Sequence, residues 1–236
     1  MTISPFSLSH DWALYWKRVY HRGNLNVNGE SPIEQKALQA LGAVGAIGGS
    51  QLSRLFLKRD KNKLKRMIRQ QKIIRHEIKK NRQSIPIYTL GPGGAKIANV
   101  PEYEENYWVT YQTEDVLKRL LFFQLYDKFP KAQIVPAPSP FVGAVSFKGN
   151  LFYVYVVRGD MQDILTYLKW RTFNERMLIV TESLSHLQPL NAFAPDLKIR
   201  VTTDQDLRGN LQNLLYRWAD GHWVKENHQK QAVVNS

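Results

Sequence analysis

The chain of 236 residues has no cysteine, which excludes disulfides, thiolate zinc sites, iron–sulfur clusters and a cysteine nucleophile together. Long apolar runs are absent too: nothing approaches the ~20 residues of a membrane span, and the N-terminal Met1 to His10 lacks the basic and apolar regions of a secretory signal. A cytoplasmic location without membrane contact is the expectation. Acidic residues are scarce in one half. Residues 1–100 hold 5 Asp and Glu against 18 Lys and Arg, whereas residues 101–236 hold 15 of each, so the net +13 falls within the first hundred residues. Between Arg54 and Arg82 stand 13 basic residues and two acids, Asp60 and Glu77. Such an excess implies a polyanionic partner. Leu52, Leu55, Phe56, Leu64, Met67, Ile68, Ile73, Ile74 and Ile78 punctuate these charges, so the segment can bury a face and fold.

Motifs of enzymes are missing as well. The six histidines show no H-x-x-x-H spacing, and no Ser sits in G-x-S-x-G. Gly91-Pro92-Gly93-Gly94-Ala95-Lys96 lacks the spacing of a phosphate-binding loop, since Ile97 follows the lysine. No catalytic residue, metal site or cofactor is expected.

What is present has a readable order. Trp12, Tyr15, Trp16 and Val19 share one face of a helix from Asp11 to Tyr20, packed on a core or on a second subunit, and Gly23 to Gly29 form a loop. Ser31-Pro32 with Glu34 is a capping-box start for a helix to about Val44. Ser50 caps a short helix carrying Leu52, Leu55 and Phe56, and Asp60 caps a third from about Lys61 to Lys72. Two strands, Ile73 to Ile78 and Ile85 to Leu90, flank the basic tip Lys79 to Ser84.

Three helices and a hairpin with a basic tip resemble a winged helix-turn-helix domain over residues 31–98, with Tyr88-Thr89-Leu90-Gly91 and Gly94-Ala95 in the places of that family's post-wing turn. The resemblance implies that the third helix enters the major groove and that the wing follows the backbone. Leu64, Met67, Ile68 and Gln71 form that helix's inner face; Asn62, Lys65, Arg66 and Arg69 form the outer one. Asn62, Arg66 and Arg69 suit base edges, through bidentate guanine and adenine contacts. Arg54, Lys58, Arg59, Lys61, Lys63, Lys65, Lys79, Lys80 and Arg82 suit the phosphate backbone.

An acidic, aromatic stretch, residues 101–111, reads as a linker to a second domain over 112–220, with a tail at 221–236. A helix capped by Thr113 runs to about Phe129. Strands follow near 133–137, 141–147 and 151–157, then a helix at 160–171, strands at 177–181 and 197–202, and a last helix capped by Asp204 and running to about Trp218. Asp206 reads as a solvated charge in its first turn. The fold class is therefore two-domain α+β or α/β, a winged helix before a mixed sheet with helices on its faces.

Helix, three strands, helix, strand resembles the PD-(D/E)xK nuclease superfamily at fold level. That superfamily holds Mg²⁺ with carboxylates on the second and third strands. From Lys128 to Gly159 this chain has no acidic residue, so the resemblance implies a degenerate module kept for binding or dimerisation. A winged helix before such a module resembles the replication-relaxation group found on plasmids and mobile elements of Gram-positive bacteria, which implies roles in replication, mobilisation or transcriptional control. The reading is a sequence-preferring double-stranded DNA binder, homodimeric and without catalysis. Two alternatives stand beside it: a metal-dependent nuclease or relaxase accessory enzyme using Glu114, Asp160 or Asp163, and a plasmid partition protein that coats centromere repeats.

Overall fold

The N-terminal segment is extended, where the aromatic spacing predicted a helix. In the computed structural model, which describes residues 4–20, 31–209 and 214–226, Ala13–Tyr15 forms strand β1. Ala13, Leu14 and Tyr15 pair antiparallel with Lys79, Ile78 and Glu77. A strand edge with unpaired N–H and C=O groups outcompetes the helical option, and side chains then alternate: Leu14 and Trp16 turn inward, Tyr15 outward. The loop read at 23–29 lies outside the described residues.

Helix α1 (Pro32–Val44) begins as its sequence dictates, with Pro at N1 and the Ser31 hydroxyl accepting the Glu34 N–H. The return bond of a capping box is not made. Glu34 is fully buried, its carboxylate taken by Lys72 at 3.1 Å and by Arg66. A three-residue strand β2 (Ala46–Gly48) leads into α2 (Gly49–Leu55), whose cap is Gly48 rather than the predicted Ser50, because the Gln51 side chain accepts the Gly48 N–H at 3.1 Å and draws Ser50 into the first turn. Helix α3 (Lys61–Arg69) starts where Asp60 accepts the Lys63 N–H at 2.9 Å. Helix α3 stops three residues short of Lys72: Gln71 takes a left-handed φ of 49° and turns the chain into β3 (Ile73–Lys80). Strand β4 (Gln83–Leu90) returns, so the predicted six-residue tip shrinks to Asn81-Arg82, with Asn81 at φ 52° as a two-residue hairpin turn requires. The sheet order is β1-β3-β4-β2.

The packing of helix α4 (Pro92–Ala98) explains Gly91 at its cap and Gly93 and Gly94 in its first turn. Gly91 and Gly93 donate backbone bonds to the Lys72 and Gln71 carbonyls, and a Cβ at Gly94 would stand 2.1 Å from the Lys72 oxygen. Close backbone approach accounts for the glycines of this motif. The stretch expected as a linker is packed: Trp108, in a 3₁₀ turn (Tyr107–Thr110), is fully buried and bonds the Lys17 carbonyl at 3.1 Å. Its neighbour Tyr107 bonds the Gly45 carbonyl at 2.7 Å, and burial pushes that hydroxyl's pKa far above the usual phenol value.

Helix α5 (Thr113–Tyr126) opens one residue before the predicted Thr113 cap, on Gln112, because Asp115 accepts the Gln112 N–H, and it ends three residues short of the predicted Phe129. Its apolar residues face both sheets, while Glu114 with Lys118 and Asp115 with Arg119 pair along its half-buried side. Val116, Leu117 and Leu120 meet Ile78 and Ile87 of the hairpin, while Leu121, Phe122 and Leu125 join a core cluster shared by α1, α2 and the second sheet. That sheet contains β5 (Gln133–Val135), β6 (Gly143–Phe147), β7 (Asn150–Val156), β8 (Arg176–Thr181) and β9 (Lys198–Thr203), with α6 (Gln162–Trp170) crossing between β7 and β8. β5, β6 and β7 are antiparallel; β7, β8 and β9 run parallel. The predicted last helix is replaced by a 3₁₀ turn (Asp206–Arg208) and a hairpin, β10 (Tyr216–Ala219) and β11 (His222–Lys225), which completes seven strands; residues 210–213 of that prediction lie outside the described residues. Trp218 faces Trp223 across the hairpin, an aromatic cross-strand pair that favours pairing over a helix. Among the described residues no helix is long and apolar enough to cross a membrane.

Candidate nucleic-acid interface

Asp60 sets the interface by starting α3 directly after a turn in which Lys58 and Arg59 both take left-handed φ, 51° and 62°. The backbone N–H of Lys63 holds the Asp60 carboxyl below its ordinary pKa, so the cap is ionised at neutral pH. Met67 is the buried anchor of α3, and Leu64 and Ile68 pack at half depth. Lys61, Asn62, Lys65 and Arg69 are exposed, Lys63 half-buried.

Two adjoining grooves border this helix. One, of about 620 Å³, lies between the start of α2, α3 and β4; Arg54, Arg59, Lys61, Lys65 and Arg75 line it, and no acidic residue does. Among the described residues, Lys58, Arg59, Lys61, Lys63, Lys65, Arg69 and Arg82 have no carboxylate within ion-pairing distance. In the later half, where acids equal cations in number, Lys118 pairs Glu114 at 2.6 Å, Arg200 pairs Glu226 at 2.5 Å and Lys225 pairs Asp206 at 2.7 Å, while Lys128, Lys131, Lys148 and Lys169 are among those without such a partner among the described residues.

Some residues assigned to DNA from the sequence have other occupations. Arg66 is half-exposed but spends one guanidinium nitrogen on buried Glu34. Arg54 bonds Asp127 at 2.5 Å. Lys79 pairs Glu77 at 3.1 Å and sits over the Tyr15 ring, and Lys80 bonds His10 Nδ1 at 2.6 Å, because the hairpin strands run through both lysines and leave Arg82 at the tip. Sequence reasoning passed over Arg75, exposed on β3 and lining both grooves; its signal was the alternation Ile74-Arg75-His76, outward between two buried residues.

Below the interface His76 is buried between the Trp16 and Trp108 rings. Its Nδ1 accepts the Lys17 N–H at 2.9 Å, which leaves Nε2–H to bond Thr89 Oγ1 at 2.8 Å. Burial, with a smaller push from Lys17, lowers its pKa to about 3.

The carboxylates named for an enzymatic alternative have local partners. Asp163 accepts the Tyr155 hydroxyl at 2.7 Å, Glu114 holds Lys118, and Asp160 accepts the Gln162 N–H. Among the described residues no group of three His, Cys, Asp or Glu is arranged to hold a metal ion. Asp204, predicted as a helix cap, is instead buried against Arg158, which also faces Glu182 at 3.6 Å; Asp206 accepts Thr203 and Lys225 rather than lying solvated. Arg158, Glu182 and Asp204 follow the ends of β7, β8 and β9, a meeting of distant segments that local patterns do not contain. Comparison of the chain with protein-family models, with curated proteins and with solved structures gave no match.

Proposed function

We propose that this protein binds double-stranded DNA with sequence preference through a winged helix-turn-helix unit whose α3 enters the major groove. The observation that carries the reading is the set of cations on the α2–α3 turn and α3, displayed beside an acid-free groove and without carboxylate partners. Cations that cost their neighbours no ion pair are free to neutralise phosphates and release counterions. The three helices, the short β2 paired to β4, and the hairpin have the order of a winged helix. In this reading Arg69 and Asn62 read base edges and Lys61 and Lys65 flank them on the backbone; the pair that Arg66 makes with Glu34 supports giving it a divided role.

The meander β5–β7, the crossing helix α6 and parallel β8 support a fold-level likeness to a PD-(D/E)xK module without its carboxylates. We assign this half to support and to homodimer contacts, in a cytoplasmic protein of a plasmid or mobile element acting in replication, mobilisation or transcriptional control. Selection of bound fragments from a random duplex pool, followed by anisotropy titration, tests the reading. An enriched site bound more tightly than random duplex, and weakened by Arg69→Ala, is expected. Equal binding of all sequences, or no binding at low salt, defeats it.

A further inference from the structure

We infer that the N-terminal arm, residues 15–20, is a second DNA-contacting element that extends the bound duplex past α3 and lays flanking phosphates on Lys17 and Arg18. This rests on the reading of α3 as the DNA-binding helix. A groove of about 760 Å³ runs between the arm, the end of α3 and the outer side of β3. It shares Ile68 and Arg75 with the groove between α2, α3 and β4, so the two form one track around α3. Lys17, Arg18, Arg69 and Arg75 line it against a single acid, Glu77. That acid is already engaged by Lys79, Ser84 and Arg75. Lys17 and Arg18 are exposed, with no carboxylate in ion-pairing distance among the described residues.

The arm is also built to hold them still. Both backbone groups of Lys17 point inward, its N–H to His76 and its carbonyl to the Trp108 ring nitrogen. Asn106 clamps Val19 through both its N–H, at 2.7 Å, and its carbonyl, at 2.8 Å. With the backbone pinned from below, the Lys17 and Arg18 side chains project from a rigid edge, so little ordering entropy remains to be lost on binding. Two of the chain's exposed large rings flank them, Tyr15 at 53% and Tyr20 at 75% exposure. A ring ending in a hydroxyl suits deoxyribose and phosphate, whose contacts fix position rather than sequence. The occupant this chemistry fits is the sugar–phosphate edge of the duplex already seated on α3.

The test uses the full chain, the double substitution Lys17→Gln/Arg18→Gln, and two duplexes carrying the selected site: one of about 12 base pairs, roughly one helical turn, and one extended by a further turn on each side. On the longer duplex the double variant should reduce the slope of log affinity against log salt by about 1.8, the value for two lost phosphate contacts. Hydroxyl-radical protection should retreat from the flank while the centre stays protected. On the short duplex the variant should match the original protein. Both substitutions are of exposed side chains, so unchanged thermal unfolding and tryptophan emission establish that the arm is still seated. An unchanged slope and footprint, with Arg69→Ala still weakening binding, overturns the role of the arm and leaves α3 intact. An equal loss on both duplexes also overturns it, because the arm would then lie over the same turn as α3. If neither set of substitutions alters binding, the reading of α3 falls as well.

Discussion

Glu34 illustrates how one buried carboxylate redistributes the roles of its neighbours. It faces two cations, Lys72 fully buried and Arg66 half-exposed, so its removal leaves positive charge inside the fold. Glu34→Ala should destabilise the protein by about 3–5 kcal/mol in chemical denaturation, the cost of breaking a buried ion pair. Arg66→Ala should cost about 1 kcal/mol, because solvent screens its exposed half and Lys72 remains. Any loss of DNA affinity in Arg66→Ala therefore has to be compared with Arg69→Ala, where no such pair exists; the latter should weaken specific binding by about 1–3 kcal/mol without moving the melting temperature. His76 makes a second prediction at this scale. Its folded pKa of about 3 lies below the unfolded 6.5, so the unfolded chain binds the proton first as pH falls. Its contribution is intact above about pH 6.5 and is lost progressively toward pH 3. Between pH 7 and pH 5 stability should drop by about 2 kcal/mol from this residue. His76→Gln should flatten that part of the pH–stability curve.

Elements in this fold are held by edges and close approaches as much as by their own propensities. Helix α4 sits on the α3–β3 turn because three glycines let backbone meet backbone, and Gly94 faces the Lys72 carbonyl with no room for a methyl group. Gly94→Ala should lower stability by about 1–3 kcal/mol, as overpacking does, measurable as a reduced urea midpoint. It should also weaken DNA binding by displacing α3. The capped starts of α1 and α3 were readable in Ser31-Pro32 and Asp60, because capping is a local bargain between a short polar side chain and nearby N–H groups. The strands β6 and β7 and their turn at Lys148-Gly149 were readable for the same reason: an apolar run broken by residues that adopt positive φ. Strand β1 was not. Aromatics at helical spacing also fit an extended chain, and the free edge of β3 that decides between them belongs to residues more than sixty positions away.

Across the whole molecule the charge asymmetry becomes a spatial one. Cations without a carboxylate in ion-pairing distance cluster on the α2–α3 turn, α3, the hairpin tip and the arm, where acids are scarce; among the described residues of the later half Lys118, Arg119, Arg158, Arg200 and Lys225 are paired, and the other cations there are dispersed among an equal number of acids. Binding should accordingly weaken steeply with salt, and an interface using six to ten phosphates would lose about 10³–10⁵ in affinity between 50 and 200 mM. Sedimentation at micromolar concentration should show a dimer, free or on DNA; a monomer in both states would remove that part of the proposal. The sequence by itself determined the basic N-terminal half, the three helices with the caps of α1 and α3, the hairpin and the order along the chain of strands β5 to β9, since composition, period and caps are properties of neighbouring residues. The tertiary structure alone decided that the arm is a strand, that Arg66 answers to Glu34, that Trp108 closes over His76 and that Arg158 gathers three strand ends. Those outcomes depend on which backbone edge is vacant and which opposite charges meet after the chain has folded, and no local pattern carries that information.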